Sequence, residues 1–359
     1  MTCSANEIWM KRCFELARRG AGAVSPNPLV GAVLVHGNRV IAEGWHERWG
    51  GPHAEVNCFR AVAPSDEKFV PESVLYCNLE PCSHHGKTPP CAELVANKGV
   101  KKVVIANKDP NPLVSGRGIE RIRNAGIQVE AGVLADEGLF LNRYFFTGIT
   151  EKRPYIILKW AQSSDGFLGR PGERTAVSGQ AALRLAHRWR SESDAILVGA
   201  VTAATDDPSL DTRFWFGKNP LRVLLDGGGS VPLATRLLSD DRETLVFGPE
   251  RSGVADCKRF TGTHTHTPVQ EILDVLYSEN KWILYVEGGA GVLQQFIRSG
   301  YWDEIRILES TIILGGGVKA PPLPEGAASL SEFMVGPDQV KIFFRQSVYD
   351  QGYSNVSIP

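Results

Sequence analysis

The sequence predicts an α/β protein built of two domains. Three observations point to it. At 359 residues the chain exceeds one ordinary hydrophobic core and suits two of typical size. Strand-like and helix-like segments alternate through the first 150 residues, as expected of a largely parallel sheet. After a short polar linker that ends near residue 154, the alternation starts again. The expected domains are therefore 1–150 and 154–359.

Each element follows from its pattern. "MTCSANEIWMKRCFELARRG" reads as an amphipathic helix with Trp9, Cys13, Phe14 and Leu16 towards a core, and it lacks the apolar run of a secretory signal. "LVGAVLVH" (29–36) and "RVIAEGW" (39–45) are β-rich and joined by a tight turn, which predicts a hairpin. Residues 53–63 have helical spacing, 73–79 form a strand, and 91–99 a helix closed by Gly99. A strand at 101–107, a helix at 118–126 and a strand at 127–132 follow, before a closing helix within 141–154. In the second domain, buried-type strands are expected in "YIILKWAQSSDG", "DAILVGAVTAATDDP", "LRVLLDGGGSVP", "ETLVFGP", "KWILYVEGGAGVLQQFIRSG" and "DEIRILESTIILGGG". The tail predicts an edge hairpin.

Composition narrows the function. Apolar residues make up 43% of the chain and charged residues 22%, values of a soluble globular protein. No apolar stretch reaches the roughly 18 residues needed to span a bilayer. These features lead us to expect a cytoplasmic protein without a membrane partner. Net charge is −1, so the basic surplus of a nucleic-acid binder is missing. The seven cysteines, an odd number in such a chain, favour metal or redox chemistry over disulfides.

One pattern stands out. "GPHAEVNCF" (51–59) and "EPCSHHGKTPPC" (80–91) place His53, Cys82 and Cys91 at segment ends. An imidazole and two thiolates suit a zinc ion whose fourth position holds water. Glu55 is the natural proton carrier between that water and a leaving amine. His-x-Glu followed by Pro-Cys…Cys is the signature of zinc deaminases, here with eight residues between the cysteines. A purely structural zinc is the alternative, and Glu55 argues against it, because a closed four-ligand site needs no acid or base. Cys58 and Cys77 fall inside a helix and a strand and read as core residues.

The second domain carries a weaker signal. "YVEGGAGVLQQFIRSG" (285–300) is a strand, a Gly-rich turn and a helix, a pattern that lets backbone approach phosphate. Gln294 occupies the place of a third Rossmann glycine, so the pattern alone leaves phosphate binding and a plain turn both open.

The stretch "SPNPLVGAVLV…GWHERWGGPHAEVNCF…NLEPCSHHGKTPPCAEL…DPNPLVSGRGIERIRNAGI" resembles the deaminase half of the bifunctional riboflavin-biosynthesis deaminase–reductase family. "LKWAQSSDGFLG", "RSESDAILVGAVTAATDDPSLDTR" and "VEGGAGVL" are similar to segments of its reductase half. The resemblance implies a cytidine-deaminase-like α/β/α layer joined to a dihydrofolate-reductase-like α/β domain. It implies deamination of a diaminopyrimidinone ribosylamino 5′-phosphate, then reduction of the ribose to a ribityl chain with NADPH.

Carried over by position, His53, Cys82 and Cys91 resemble the zinc ligands and Glu55 the proton shuttle. Asn27, His46, His84 and Lys87 match substrate contacts of the deaminase. Arg190, Leu210, Arg213 and Glu287 match substrate contacts of the reductase, and guanidinium forks suit a phosphate. Ala161, Thr202, Asp206, Gly227 and the turn Gly288, Gly289, Ala290 and Gly291 match NADPH contacts. The chain departs from the family at "TAVSG" (175–179), where a Trp-Ile-Thr/Ser segment is frequent. That departure bears on cofactor affinity and on the choice between NADPH and NADH. The expected partner is a small pyrimidine ribonucleotide, and Gly-rich edges in the second domain are compatible with a homodimer. The alternative is a deaminase whose second domain is catalytically idle.

Overall fold

The computed structural model describes residues 4–83, 89–112, 114–261 and 268–346. It divides between Lys152 and Arg153 into two compact units.

The first unit begins with helix α1 (Ala5–Arg18), started by a capping box in which the Ser4 hydroxyl accepts from the Glu7 N–H and the Glu7 carboxylate accepts from the Ser4 N–H. Strands β1 (Gly31–His36) and β2 (Arg39–Trp45) form the expected hairpin, turning at Gly37 with φ of 60°. Helix α2 (Ala54–Arg60), strand β3 (Val74–Leu79), helix α3 (Cys91–Lys98) and strand β4 (Lys102–Asn107) follow. Gly99 ends α3 in the left-handed region. Helix α4 (Arg117–Asn124) and strand β5 (Gln128–Ala131) complete the sheet. Its order is β2-β1-β3-β4-β5, with β3, β4 and β5 parallel and the hairpin antiparallel. The closing segment is two helices, α5 (Ala135–Leu141) and α6 (Arg143–Glu151), where the pattern suggested one.

Alternation along the strands builds a layer on each face. Val33, Val35, Tyr76 and Val104 pack with Met10, Cys13 and Leu16 of α1. Leu34, Leu75, Cys77 and Ile105 point the other way, onto Cys58, Phe59, Val95 and Ile122. Cys58 and Cys77 are accordingly buried in the core.

The second unit is organised on a sheet of nine strands. Parallel strands come from β6 (Tyr155–Gln162), β8 (Ala195–Gly199), β9 (Leu221–Leu225), β10 (Thr244–Phe247), β11 (Lys258–Thr261), β12 (Ile283–Val286) and β13 (Glu304–Glu309). The antiparallel pair β15 (Ala327–Val335) and β16 (Asp338–Arg345) is the expected tail hairpin, with β16 on β13 and β15 at the edge. A small separate ladder joins β7 (Phe167–Gly169) to β14 (Val318–Lys319). Helices α7 (Gln180–Ser191), α8 (Ala200–Asp206), α9 (Arg236–Ser239), α10 (Val269–Ser278) and α11 (Ala290–Arg298) connect the strands. The order runs β11-β10-β9-β8-β12-β6-β13-β16-β15, so the crossover direction reverses at the centre. In such sheets ligands gather at the carboxyl ends of the central strands. Among the described residues no helix is long and apolar enough to cross a membrane.

Candidate active sites

In the first unit the pattern residues converge. His53 follows Pro52 and caps the N-terminus of α2 without using its ring for the cap. Cys82 lies just beyond β3, and Cys91 is the first residue of α3 after Pro89–Pro90. The His53 Nδ1 lies 3.6 Å from Cys82 Sγ and 3.4 Å from Cys91 Sγ, and the candidate ligand atoms all fall within 4.8 Å of one another. A tetrahedral zinc with Zn–N of about 2.0 Å and Zn–S of about 2.3 Å separates nitrogen from sulfur by roughly 3.5 Å. The donor set thus fits zinc in chemistry and in spacing.

Electrostatics set the two thiols apart. The Cys91 thiol donates to Cys82 and holds its thiolate well below the usual range, near 4, against the cost of burial. The His53 ring and the Cys91 N–H, 3.3 Å from Cys82 Sγ, add to this. The same bond pushes the Cys91 thiol up. The contact with Cys82 also raises the His53 pKa.

Glu55, in the first turn of α2, is 3% exposed. Burial, then the charge on Cys82, raises its pKa. A carboxyl shifted towards neutral pH is suited to carry a proton both ways.

Asn27 and His46 meet beside this cluster. The Asn27 amide lies 3.1 Å from His46 Nε2, while His46 Nδ1 is 2.9 Å from the Pro52 carbonyl. The carbonyl can only accept, so Nδ1 carries the hydrogen and Nε2 accepts from Asn27. Burial lowers the pKa of this ring. Both its nitrogens are thus engaged, one with Asn27 and one with the turn before His53. The expected contacts His84 and Lys87 lie outside the described residues.

In the second unit a cavity of about 550 Å³ opens at the carboxyl ends of β8 and β9. Thr202, Asp206, Gly227, Gly289, Ala290 and Gly291 line it, as does the segment 168–173 with Thr175. Gly199 and Gly289 sit tightly: a Cβ would fall 2.6 Å from Val292 Cγ2 at the first and 3.0 Å from Thr202 Oγ1 at the second. Backbone therefore forms the wall, and α11 directs its N-terminal N–H groups there. Such a cradle fits the phosphates of a dinucleotide. Ala161 and Gly288 are not on the wall. Ala161 lies on β6 opposite Leu308, and Gly288 has Val292 packed where a side chain would be. Of the residues lining the cavity none is aromatic, consistent with the "TAVSG" departure.

The reductase substrate candidates divide in two. Arg190 on α7 forms a bidentate pair with Glu287 at 2.7 and 2.8 Å and also donates to the Asp211 carbonyl. Glu287 follows β12, and its side chain is 10% exposed. Burial opposes its charge, yet Arg190 and Lys159 hold the carboxyl down to about 2. Leu210 is buried in a left-handed conformation, φ 49°. Arg213 pairs with Asp211 and lies over the Phe214 ring.

Two neighbours were not singled out from the sequence. Lys159, 3.9 Å from Glu287, is a buried amine whose pKa burial lowers. His187 is fully buried with Nε2 3.4 Å from Arg190 Nη1. It is three residues before Arg190 on one helix, a spacing that puts both on one face. Asp165 of the "SSDG" turn instead accepts from the Leu314 and Gly315 N–H groups, tying that turn to 312–315.

Removing the charge opposite Glu287 has a clear expected cost. Arg190→Met leaves a buried carboxylate short of its main partner and should destabilise the second unit by about 3–5 kcal/mol. Chemical denaturation measures it. The wild-type pair contributes stability above the ordinary carboxyl pKa of 4.5, lost as pH falls towards 2. The gap between variant and wild type should accordingly narrow over that window.

Comparison with known proteins agrees with this geometry. Residues 154–342 match the family described as RibD C-terminal domain, and residues 3–107 match the cytidine and deoxycytidylate deaminase zinc-binding region. The riboflavin biosynthesis protein RibD of Aquifex aeolicus is 38% identical over 354 residues, covering 94% of this chain and 98% of that protein. The chain belongs to the RibD family. RibD of Escherichia coli is 31% identical, over 93% of this chain and 97% of its own length.

Among solved structures, a diaminohydroxyphosphoribosylaminopyrimidine deaminase/5-amino-6-(5-phosphoribosylamino)uracil reductase from Thermotoga maritima is similar. It superposes with a TM-score of 0.86 at 35% identity, covering 95% of this chain and 98% of that one. RibD of Acinetobacter baumannii gives a TM-score of 0.84 at 32% identity, over 94% and 98% of the two chains. As a RibD, the protein is a zinc-dependent deaminase and an NADPH-dependent reductase of riboflavin biosynthesis, with both domains present. Nothing favours an idle second domain.

Proposed function

We propose that residues 1–150 deaminate 2,5-diamino-6-ribosylamino-4(3H)-pyrimidinone 5′-phosphate, and that residues 154–359 then reduce its ribosyl group to ribityl. The observation that carries the first step is His53 Nδ1 set 3.4 and 3.6 Å from two cysteine sulfurs, with a buried carboxyl at Glu55 beside them.

His53, Cys82 and Cys91 would hold the zinc, whose chemistry when bound would be to lower the pKa of water. Glu55 would act as the proton carrier, moving one proton of the attacking water to the ring nitrogen and the other to the departing amine. One water is consumed and one ammonia released. Asn27, oriented by His46, pairs with the amide-like edge of the pyrimidine. His84 and Lys87, outside the described residues, are the further substrate-contact candidates, Lys87 for a phosphate or carbonyl oxygen.

When bound, NADPH would supply the hydride for reduction at the ribose C1′. Thr202, Asp206, Gly227 and the turn 289–291 would hold it. Arg213 offers a guanidinium to the 5′-phosphate, alongside Leu210. Arg190 holds Glu287 ionised and fixed, and Lys159 adds a second cation 3.9 Å from that carboxylate.

Two measurements test the assignment. Incubation with a chelator should stop ammonia release and spare reduction of deaminated substrate, and added zinc should restore the first activity. Persistent ammonia release from metal-free protein would contradict the zinc role. Ala290→Asp places a carboxylate at the N-terminus of α11, where the cofactor phosphates would lie. The Kd for NADPH should rise at least ~10-fold through like-charge repulsion, read by fluorescence titration.

A further inference from the structure

We propose that Glu80 is a positioning residue of the deaminase centre, whose buried carboxylate fixes Cys82 and Cys91 by gathering four backbone N–H groups of the 109–119 segment. The proposal rests on the reading of these cysteines as zinc ligands.

Glu80 follows the last residue of β3 and precedes Pro81–Cys82, and it is 3% exposed. Its Oε2 accepts from the N–H groups of Asp109 at 3.2 Å and Gly116 at 3.0 Å. Its Oε1 accepts from Gly118 at 3.0 Å and Ile119 at 3.2 Å. A buried carboxylate is costly unless its lone pairs are used, and here both oxygens are used twice. Gly118 and Ile119 belong to the first turn of α4, whose N-terminus favours a negative charge. Packing alone would be served by an apolar side chain. A charge with four directional bonds fixes orientation instead.

The contact is tight on its other side too. A Cβ at Gly118 would fall 2.1 Å from the Pro81 carbonyl oxygen, so the segment closes directly on the backbone that leads to Cys82. Pro81 restricts rotation between Glu80 and Cys82. From α4 the frame continues to the second thiol. Arg121 pairs at 2.6 Å with Glu93 in the first turn of α3, the helix that Cys91 begins. The Ala92 N–H donates to the Cys82 carbonyl at 3.1 Å, and the Cys91 N–H to Cys82 Sγ. Both sulfurs thus hang on one frame whose charged centre is Glu80.

The experiment is Glu80→Gln in the full chain, which keeps the size but removes the charge and turns an amide N–H towards N–H donors. Zinc affinity is measured by chelator competition, and thiolate geometry by the absorption of the cobalt-loaded protein. The expected result is a ~10–100-fold loss of zinc affinity with an altered cobalt spectrum, while reductase kcat/KM is unchanged. A lower thermal midpoint with zinc affinity within about two-fold of wild type and an unaltered spectrum would make Glu80 a scaffold residue only and overturn the proposal. If that variant does not fold, Gly118→Ala disturbs the same contact with the charge intact, and the same two outcomes decide. Cys82→Ala is run alongside: if it keeps full zinc, the ligand reading itself fails, and the proposal with it. If it loses zinc while Glu80→Gln, or Gly118→Ala in its place, binds normally, only the proposal fails.

Discussion

Glu55→Gln is expected to lower ammonia release by about 10²–10⁴-fold, the usual contribution of a positioned acid–base group. The substitution keeps the shape of a fully buried side chain in the first turn of α2 and removes its ability to carry a proton. None of the three candidate ligands is touched, so zinc content should stay at wild type. The second unit should still reduce deaminated substrate at its normal rate. Loss of both activities would point to misfolding. Ammonia release at the wild-type rate would remove Glu55 from the chemistry.

Cys82→Ala is expected to lose most of the zinc and nearly all deamination, again with reduction spared. Cys82 receives the Cys91 N–H and faces the His53 ring at 3.6 Å, so it touches both other members of the donor set. Deleting it leaves two ligands, too few to hold a catalytic zinc of this type. Metal analysis after dialysis reads the loss, and full occupancy would mean that the ligand set is wrong. The two variants together separate holding the metal from moving the proton: the first keeps zinc without turnover, the second loses both.

The deaminase centre was legible because its chemistry is written at segment ends. His53, Cys82 and Cys91 each open or close an element, and proline precedes each of them, so spacing alone located them beside one sheet edge. His46 was harder. The sequence offers a histidine, whereas only the structure shows both of its nitrogens engaged, on Asn27 and on Pro52. In the second unit the glycines of 288–291 marked a turn, but which of them face the cavity depends on the packing of Val292, a tertiary contact without local signal.

Arg190 illustrates the same limit. A guanidinium near a phosphate-bearing substrate reads as a phosphate contact, and only the fold shows that it also pairs with Glu287, 97 residues away in sequence. Lys159 escaped notice for a related reason, since its meaning comes from the buried carboxylate opposite. Glu80 was visible only as the first letter of "EPC". Its four bonds reach a segment about 30 to 40 residues onward, which no spacing rule reveals.

The most direct test follows both activities in one tube. The purified full chain receives the diaminopyrimidinone ribosylamino phosphate with or without NADPH, and ammonia release and NADPH oxidation are recorded separately. Two ordered sites require ammonia at the same initial rate in both tubes, with NADPH consumed only after a lag set by deamination. NADPH oxidation that precedes ammonia, or ammonia release with no NADPH oxidation at any time, would contradict the account.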